Sequence, residues 1–218
     1  MTRASIGLTD ELQTYILEHS TPLDVVDLGL IEETSRLGSA ASMQVAPEQA
    51  LLIRLLVAAT GTRQALEIGT FTGLSSLAIA RALPPDGRLL CCDINREWTA
   101  IAESAWEAAG VADRIELRLG PAIDTLRQLP EEPIFDFAFL DADKGMYPQY
   151  REEIIIRLNR GGLFLADNVL WRGDVVAPAE DDPDVTGLRR FNQEMAQDDR
   201  LVTVMLPVGD GLTIARRV

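Results

Sequence analysis

Four acidic residues stand at or beside the ends of short apolar runs in this chain of 218 residues: Glu67, Asp93, Asp141 and Asp167. Carboxylates so placed can hold a metal ion, accept from sugar hydroxyls or move protons. Lys144 follows Asp141 closely, and Asn168 comes directly after Asp167. Chance could put one or two acids at such ends. Four point to a site.

The segment Glu67-Ile68-Gly69-Thr70-Phe71-Thr72-Gly73 is glycine-rich but fits neither common phosphate cradle. It lacks the Gly-Lys-Ser/Thr ending of a P-loop, and its glycines are spaced G-x-x-x-G rather than G-x-G-x-x-G. A Glu67 carboxylate ~6 Å from a ligand charge, at an effective dielectric of about 20, contributes roughly 3 kcal/mol per unit charge. That disfavours a pyrophosphate and favours a cation. Asp93 lies 20 residues beyond Gly73, near the offset at which an acid accepts ribose hydroxyls. A ribose-bearing ligand with a positive centre is S-adenosylmethionine. Taken alone, the glycines have a second reading, tight strand-to-helix packing, which Asp93 weakens.

Asp141, Asp167 and Asn168 offer oxygen donors only, the set that Mg2+ prefers, with Mn2+ or Ca2+ as substitutes. No His or Cys lies near them to suit zinc, and the single histidine, His19, falls in an N-terminal helix. Read alone, Asp-Asn after a strand is a turn or helix cap, and Lys144 is a solvated loop lysine.

Holding these groups together requires a scaffold. Short apolar runs alternate with amphipathic stretches: Ala65–Ile68, Leu89–Cys92, Ile115–Leu119, Phe135–Leu140 and Leu163–Ala166 read as strands buried on both faces. Between them, Leu74–Leu83, Glu97–Ala109, Ile123–Leu129 and Tyr150–Leu158 are long enough for crossover helices. That pattern is an α/β doubly wound sheet, mostly parallel, with ligands bound beyond the carboxyl ends of its strands. Leu201–Leu206 and Leu212–Arg216, separated by PVGDG, read as a C-terminal antiparallel hairpin, with Gly209 and Gly211 supplying positive φ.

Helices precede the sheet. Thr9 caps one running to about His19, Leu23–Leu37 forms a second that stops at Gly38, and Pro47 opens a third with Leu51, Leu52, Leu55 and Leu56 as its buried stripe. The simplest account is a single domain over 1–218, with a helical lid at 1–60 and an α/β core at 61–218.

Composition narrows the partners. Lys plus Arg number 20 against 34 Asp plus Glu, a net charge of −14, and no basic run exists. Such a field opposes nucleic acid and anionic membranes. The two cysteines are the neighbours Cys91 and Cys92, which excludes a disulfide framework and suits a reducing, cytoplasmic setting. The apolar stretch Ala50–Ala59 is interrupted by Arg54 and falls short of the ~20 residues of a membrane span. The start, MTRASIGLTDELQ, carries no signal core.

The segments MQVAPEQ, LEIGTFTGLS, CDINRE, LGPA, FLDADK, ADNVLWRG and LPVGDGLTI, in this order, resemble the cation-dependent class I O-methyltransferases, which include the catechol and caffeoyl-CoA enzymes. The likeness runs from about Met43 to the C-terminus. It implies a Rossmann-like class I methyltransferase fold with an antiparallel seventh strand, and a homodimer. It places Met43 and Val45 at the edge of the donor pocket, and Glu67, Gly69, Thr70 and Ser75 around the methionine part of S-adenosylmethionine. Asp93 takes the ribose, and Ala122 borders the adenine. Asp141, Asp167 and Asn168 fall on the metal positions; Asp141 also faces the donor, and Lys144 is the proton acceptor. Phe71 is expected to pack.

The implied reaction moves a methyl group to one oxygen of a catechol-type acceptor, a vicinal dihydroxyphenyl small molecule. Trp171, beside Arg172, would wall the acceptor ring or simply pack; Trp98 and Trp106 would pack in the core or near the adenine. Glu180–Asp184 reads as a solvated acidic loop. The alternatives are an NAD-dependent oxidoreductase on the same kind of sheet and a methyltransferase for a non-catechol acceptor.

Overall fold

A computed structural model describes residues 7–177 and 181–218. Seven strands, β1 (Gln64–Ile68), β2 (Arg88–Asp93), β3 (Ile115–Leu119), β4 (Phe135–Leu140), β5 (Leu158–Ala166), β6 (Leu201–Leu206) and β7 (Leu212–Arg217), form one sheet in the order β3-β2-β1-β4-β5-β7-β6. The first five pair in parallel. Strand β7 lies antiparallel between β5 and β6, so the expected C-terminal hairpin closes the sheet. The order reverses between β1 and β4, which makes their carboxyl ends the switch point where such sheets take ligands.

Crossover helices α4 (Leu74–Ala82), α5 (Arg96–Ala108), α6 (Ala122–Gln128) and α7 (Tyr147–Arg157) alternate with the strands as the sequence predicts. Cys91 packs into one apolar layer with Leu77, Phe137 and Leu165; its neighbour Cys92 packs into the other with Leu126, Leu140 and Phe164. Successive strand residues face opposite ways, so both thiols are buried and free.

The N-terminal helices are α1 (Asp10–Glu18), α2 (Val25–Ser35) and α3 (Pro47–Ala59). Thr9 caps α1, and Asp24 with Asp27 forms a reciprocal cap on α2, so that helix starts two residues later than Leu23. The buried side of α3 is Gln49, Ala50, Ile53 and Val57, not the expected leucine stripe. Leu55 is 63% exposed, and Leu51, Leu52 and Leu56 are only half-buried. Leucine content suggested the wrong face. Ile53 and Val57 enter the same layer as Leu77 and Phe139, and full burial of each contributes about 1.5–3 kcal/mol. The segment labelled a lid therefore shares the core with the sheet.

One helix is absent from the sequence reading: α8 (Pro183–Gln197), which Asp182 caps with hydrogen bonds to the amides of Asp184 and Val185. Its Val185, Leu188, Phe191 and Met195 are buried. Most of the expected solvated acidic loop is thus a helix start, and Asp184 accepts from the Gly145 amide at 3.0 Å. Glu180 lies outside the described residues.

Candidate active site

Backbone hydrogen bonds carry the sheet one residue past its strand ends. Gly69 N donates to Cys92 O at 2.9 Å, Asp141 N to Ile68 O at 2.8 Å and Asp167 N to Leu140 O at 3.0 Å. These bonds set Gly69, Asp141 and Asp167 side by side along one edge. Gly69 has φ +89°, and a Cβ there would lie 1.8 Å from the Asp141 carbonyl oxygen. Only glycine fits.

The loop after β1 is organised by Asp93. Its Oδ2 accepts from the Thr70 and Phe71 amides at 2.9 and 2.8 Å, and its Oδ1 from the Asn95 amide at 2.8 Å. A carboxylate has about four lone-pair positions, so one on Oδ1 is left for a ligand hydroxyl. Phe71 holds a left-handed φ of +51° and packs edge-on against Trp98, ring centroids 5.0 Å apart. Gly73, at φ +92°, lets α5 approach: a Cβ would come within 2.5 Å of the Ala102 Cβ. Trp106 is buried and donates to Ser76 Oγ at 3.0 Å, a packing role.

Gln44 ties the N-terminal segment to this loop. Its amide donates to Thr34 Oγ1 at 2.9 Å and Thr72 Oγ1 at 3.2 Å, and the two threonine hydroxyls are 2.8 Å apart. Met43 and Val45 flank Gln44 and so lie beside the glycine loop. Met43 is 46% exposed, whereas Val45 is buried. Ser75 and Ala122, in the first turns of α4 and α6, are buried near the loops that follow β1 and β3.

Glu67 departs from the expected carboxylate. It is one residue inside β1 and fully buried. Burial pushes its pKa up to about 8, outweighing the opposing pull of the nearby Ser75, Cys91 and Thr70 side chains, while the Asp141 charge pushes it further. The Cys91 thiol lies 3.5 Å from Oε2, and Oε1 has no partner. Near neutral pH the group is mostly protonated, so it does not present the full negative charge that the sequence suggests.

Lys144 is no solvated lysine: it is only 6% exposed. Its Nζ donates to Asp141 Oδ1 at 2.7 Å and to the Tyr147 hydroxyl at 2.9 Å. That hydroxyl reaches the backbone oxygens of Leu140 and Asp167, at 3.2 and 3.1 Å, tying the ends of β4 and β5 together. Trp171 stands with its ring centroid 5.9 Å from Lys144 Nζ.

Asp167 is buried, and its Oδ1 accepts from the Asn168 amide at 2.7 Å. Burial first and the Asp141 charge second push its pKa up to about 6, against the opposing pull of Asn168, Gln49 and Lys144. Two carboxylates that repel each other, with an amide beside them and no sulfur or imidazole, suit a hard divalent cation. No cluster of three or more His, Cys, Asp or Glu able to hold a metal occurs among the described residues. A cation here would therefore rest on Asp141, Asp167, the side-chain amide oxygen of Asn168 and water.

His19 is exposed, stacked on Tyr15, and takes no part. Gln44, Gln49 and Tyr147 are the residues that sequence reasoning missed. Two of them sit inside the MQVAPEQ motif, and Gln49 is a polar residue on the buried face of α3, the one signal available for it.

A sequence profile described as O-methyltransferase matches residues 18–218. The caffeoyl-CoA O-methyltransferase of Eucalyptus gunnii is 39% identical over 229 residues, covering 98% of this chain and 90% of that protein. Among solved structures, the O-methyltransferase TomG of Streptomyces achromogenes, involved in tomaymycin synthesis and solved in complex with SAM, is similar at a TM-score of 0.88 and 32% identity, covering 95% of this chain and 96% of that one. The O-methyltransferase of Bacillus cereus in complex with SAH is similar at 0.84 and 34%, covering 95% and 97%.

Proposed function

The chain belongs to the O-methyltransferase family, and from that premise we propose that it transfers the methyl group of S-adenosylmethionine to one hydroxyl of a vicinal dihydroxyphenyl acceptor, with a divalent cation bound. Family membership removes the oxidoreductase alternative. The observation that carries the proposal is the double engagement of Asp141. Its backbone abuts Gly69 of the glycine loop, and its side chain holds Lys144. Donor loop, candidate base and cation ligand therefore meet at one residue.

The remaining lone pair of Asp93 would take a ribose hydroxyl, while the Thr70 and Gly69 backbone, Ser75, Met43 and Val45 would enclose the methionine part and Ala122 the adenine. When bound by Asp141, Asp167 and Asn168, Mg2+, or Mn2+ or Ca2+, supplies Lewis acidity and chelation for two adjacent acceptor oxygens. Lys144 takes the phenol proton on Nζ, with Asp141 and Tyr147 fixing the direction of that amine. The oxygen so formed attacks the sulfonium methyl carbon in line; the C–S bond breaks, its electron pair stays on sulfur and S-adenosylhomocysteine leaves. Holding the two centres close provides much of the rate. Trp171 would wall the acceptor ring.

The charge of −14 favours a compact catechol over a polyanionic coenzyme A thioester. A cytoplasmic setting fits the two free thiols, and no described helix is long and apolar enough to cross a membrane. Exposed Tyr15, Leu28 and Leu55 on the N-terminal helices support a homodimer, which light scattering would test. The direct experiment is methyl transfer from S-adenosylmethionine to catechols, caffeoyl esters and caffeoyl-CoA, with Mg2+ or with chelator. Transfer confined to vicinal diols and lost in chelator supports the proposal; equal transfer to monophenols contradicts it.

A further inference from the structure

The turn between β6 and β7, residues 207–211, reaches back over the loop that follows β5. Val169 N donates to Gly211 O and Leu170 N to Asp210 O, both at 3.0 Å, and Arg172 N donates to Asp210 Oδ1 at 2.7 Å. Gly211, at φ +90°, presses against the loop so closely that a Cβ would lie 2.4 Å from Leu170 Cγ and 2.9 Å from its amide nitrogen. On its other side the turn is wedged by Gln49, whose Oε1 would be 2.8 Å from a Cβ on Gly209. The turn has little room to move.

The loop beneath it is strained. Asn168, Trp171 and Arg172 hold left-handed φ values of +53°, +45° and +53° without being glycine. Such backbone persists only where its surroundings fix it. The loop's internal bonds, from Trp171 N to Asn168 O at 3.2 Å and from Gly173 N to Leu170 O at 2.9 Å, leave the Arg172 amide to Asp210. Immediately before Arg172 stands Trp171, the ring that faces the Lys144 amine.

We propose that Asp210 is a positioning residue for the methyl acceptor: by holding the Arg172 amide, it keeps the loop in the one backbone conformation that sets the Trp171 ring opposite Lys144. The inference rests on the reading of Lys144 and Asp141 as acceptor-side groups. Asp210 itself touches no reactant. It acts through Trp171, so its loss is felt in acceptor recognition and not in donor binding.

The test compares Asp210→Ala, Asp210→Asn and Asp210→Ser in the full chain. Asn keeps an oxygen that accepts from the Arg172 amide, Ala keeps none, and Ser falls one atom short. Asp210→Ala raises the acceptor KM by about tenfold or more, the scale expected when a positioning contact is lost. Its calorimetric affinity for S-adenosylhomocysteine stays within about twofold of wild type, and Asp210→Asn behaves as wild type. Asp210→Ser raises KM several-fold and carries the test should the alanine variant not fold. Hydrogen exchange gives a readout independent of turnover: peptides spanning 169–173 exchange faster in the Ala and Ser variants, and those spanning 69–73 do not. An unmoved acceptor KM, equal damage in the Asn and Ala variants, or donor affinity falling in step would each overturn the assignment. Wild type that methylates no vicinal diol defeats the proposed function instead, and in that case exchange unchanged at 169–173 would still overturn the Asp210 contact.

Discussion

Gly69 and Asp141 meet through their backbones, so closely that any side chain on Gly69 would overlap the Asp141 carbonyl. The loop after β1 and the acid after β4 therefore move as one piece. Under the proposed function, a donor on the first and an acceptor beside the second would keep a fixed spacing.

Gly69→Ala is the sharpest test of that contact. It adds a Cβ 1.8 Å from a backbone oxygen at a φ of +89°. A lowered melting temperature is expected together with loss of S-adenosylhomocysteine binding by calorimetry. A variant that binds the donor normally would show the two loops to be uncoupled.

Lys144→Ala removes the proposed proton acceptor and leaves the Asp93 loop untouched. Turnover should fall by roughly 10²–10⁴, the usual range for general base catalysis, with donor affinity nearly unchanged. Selective loss of donor binding in steady-state and calorimetric measurements would assign Lys144 a different role.

Asp93→Ala withdraws three backbone contacts as well as the proposed ribose partner. Hydrogen bonds to a charged group contribute about 1.5–3 kcal/mol each, so donor affinity should drop by at least about tenfold and the melting temperature should fall with it. Normal stability would mean that the loop does not depend on this carboxylate.

Glu67 sets a pH dependence of stability. Its folded pKa of about 8 is raised above the ordinary 4.5, so the folded protein binds the proton more tightly than the unfolded chain. The group's contribution is full below the ordinary value and is lost as pH rises towards and through 8. Wild type should therefore lose melting temperature between pH 5 and 8 relative to Glu67→Gln (a window set by those two values), and the gap should close at the acid end. Parallel curves across that window would mean that the buried carboxyl is not held protonated.

Much of the scaffold is legible in sequence because its strands are short and rich in Leu, Ile, Val and Phe: Ile115–Leu119, Phe135–Leu140 and Leu201–Leu206 are read to the residue. This holds although β3 and β6 lie at the sheet edges and only β4 of the three is largely buried. The leucines of α3 mislead because Ala50 and the β-branched Ile53 and Val57 fill the tighter face against the core, leaving Leu55 outward. Helix α8 escapes because its apolar residues are spaced singly among Asp, Arg and Gln, so no run announces it. The strand-end acids are visible as a pattern, but their charge is not. Glu67 and Asp93 look alike in sequence, yet one is sealed inside β1 and the other collects three amides. Gln44, Gln49 and Asp210 act through contacts between distant segments, which no local spacing encodes.

The central claim is that Asp141 and Asp167 bring a divalent ion and the methyl donor to one place. Crystals grown with Mn2+ and S-adenosylmethionine, measured for anomalous scattering, test it most directly. The account predicts a single strong peak ligated by Asp141, Asp167 and Asn168, with the donor ribose on Asp93 and its methyl group directed towards that ion. A manganese peak elsewhere, or a donor bound away from the Gly69 loop, would contradict it.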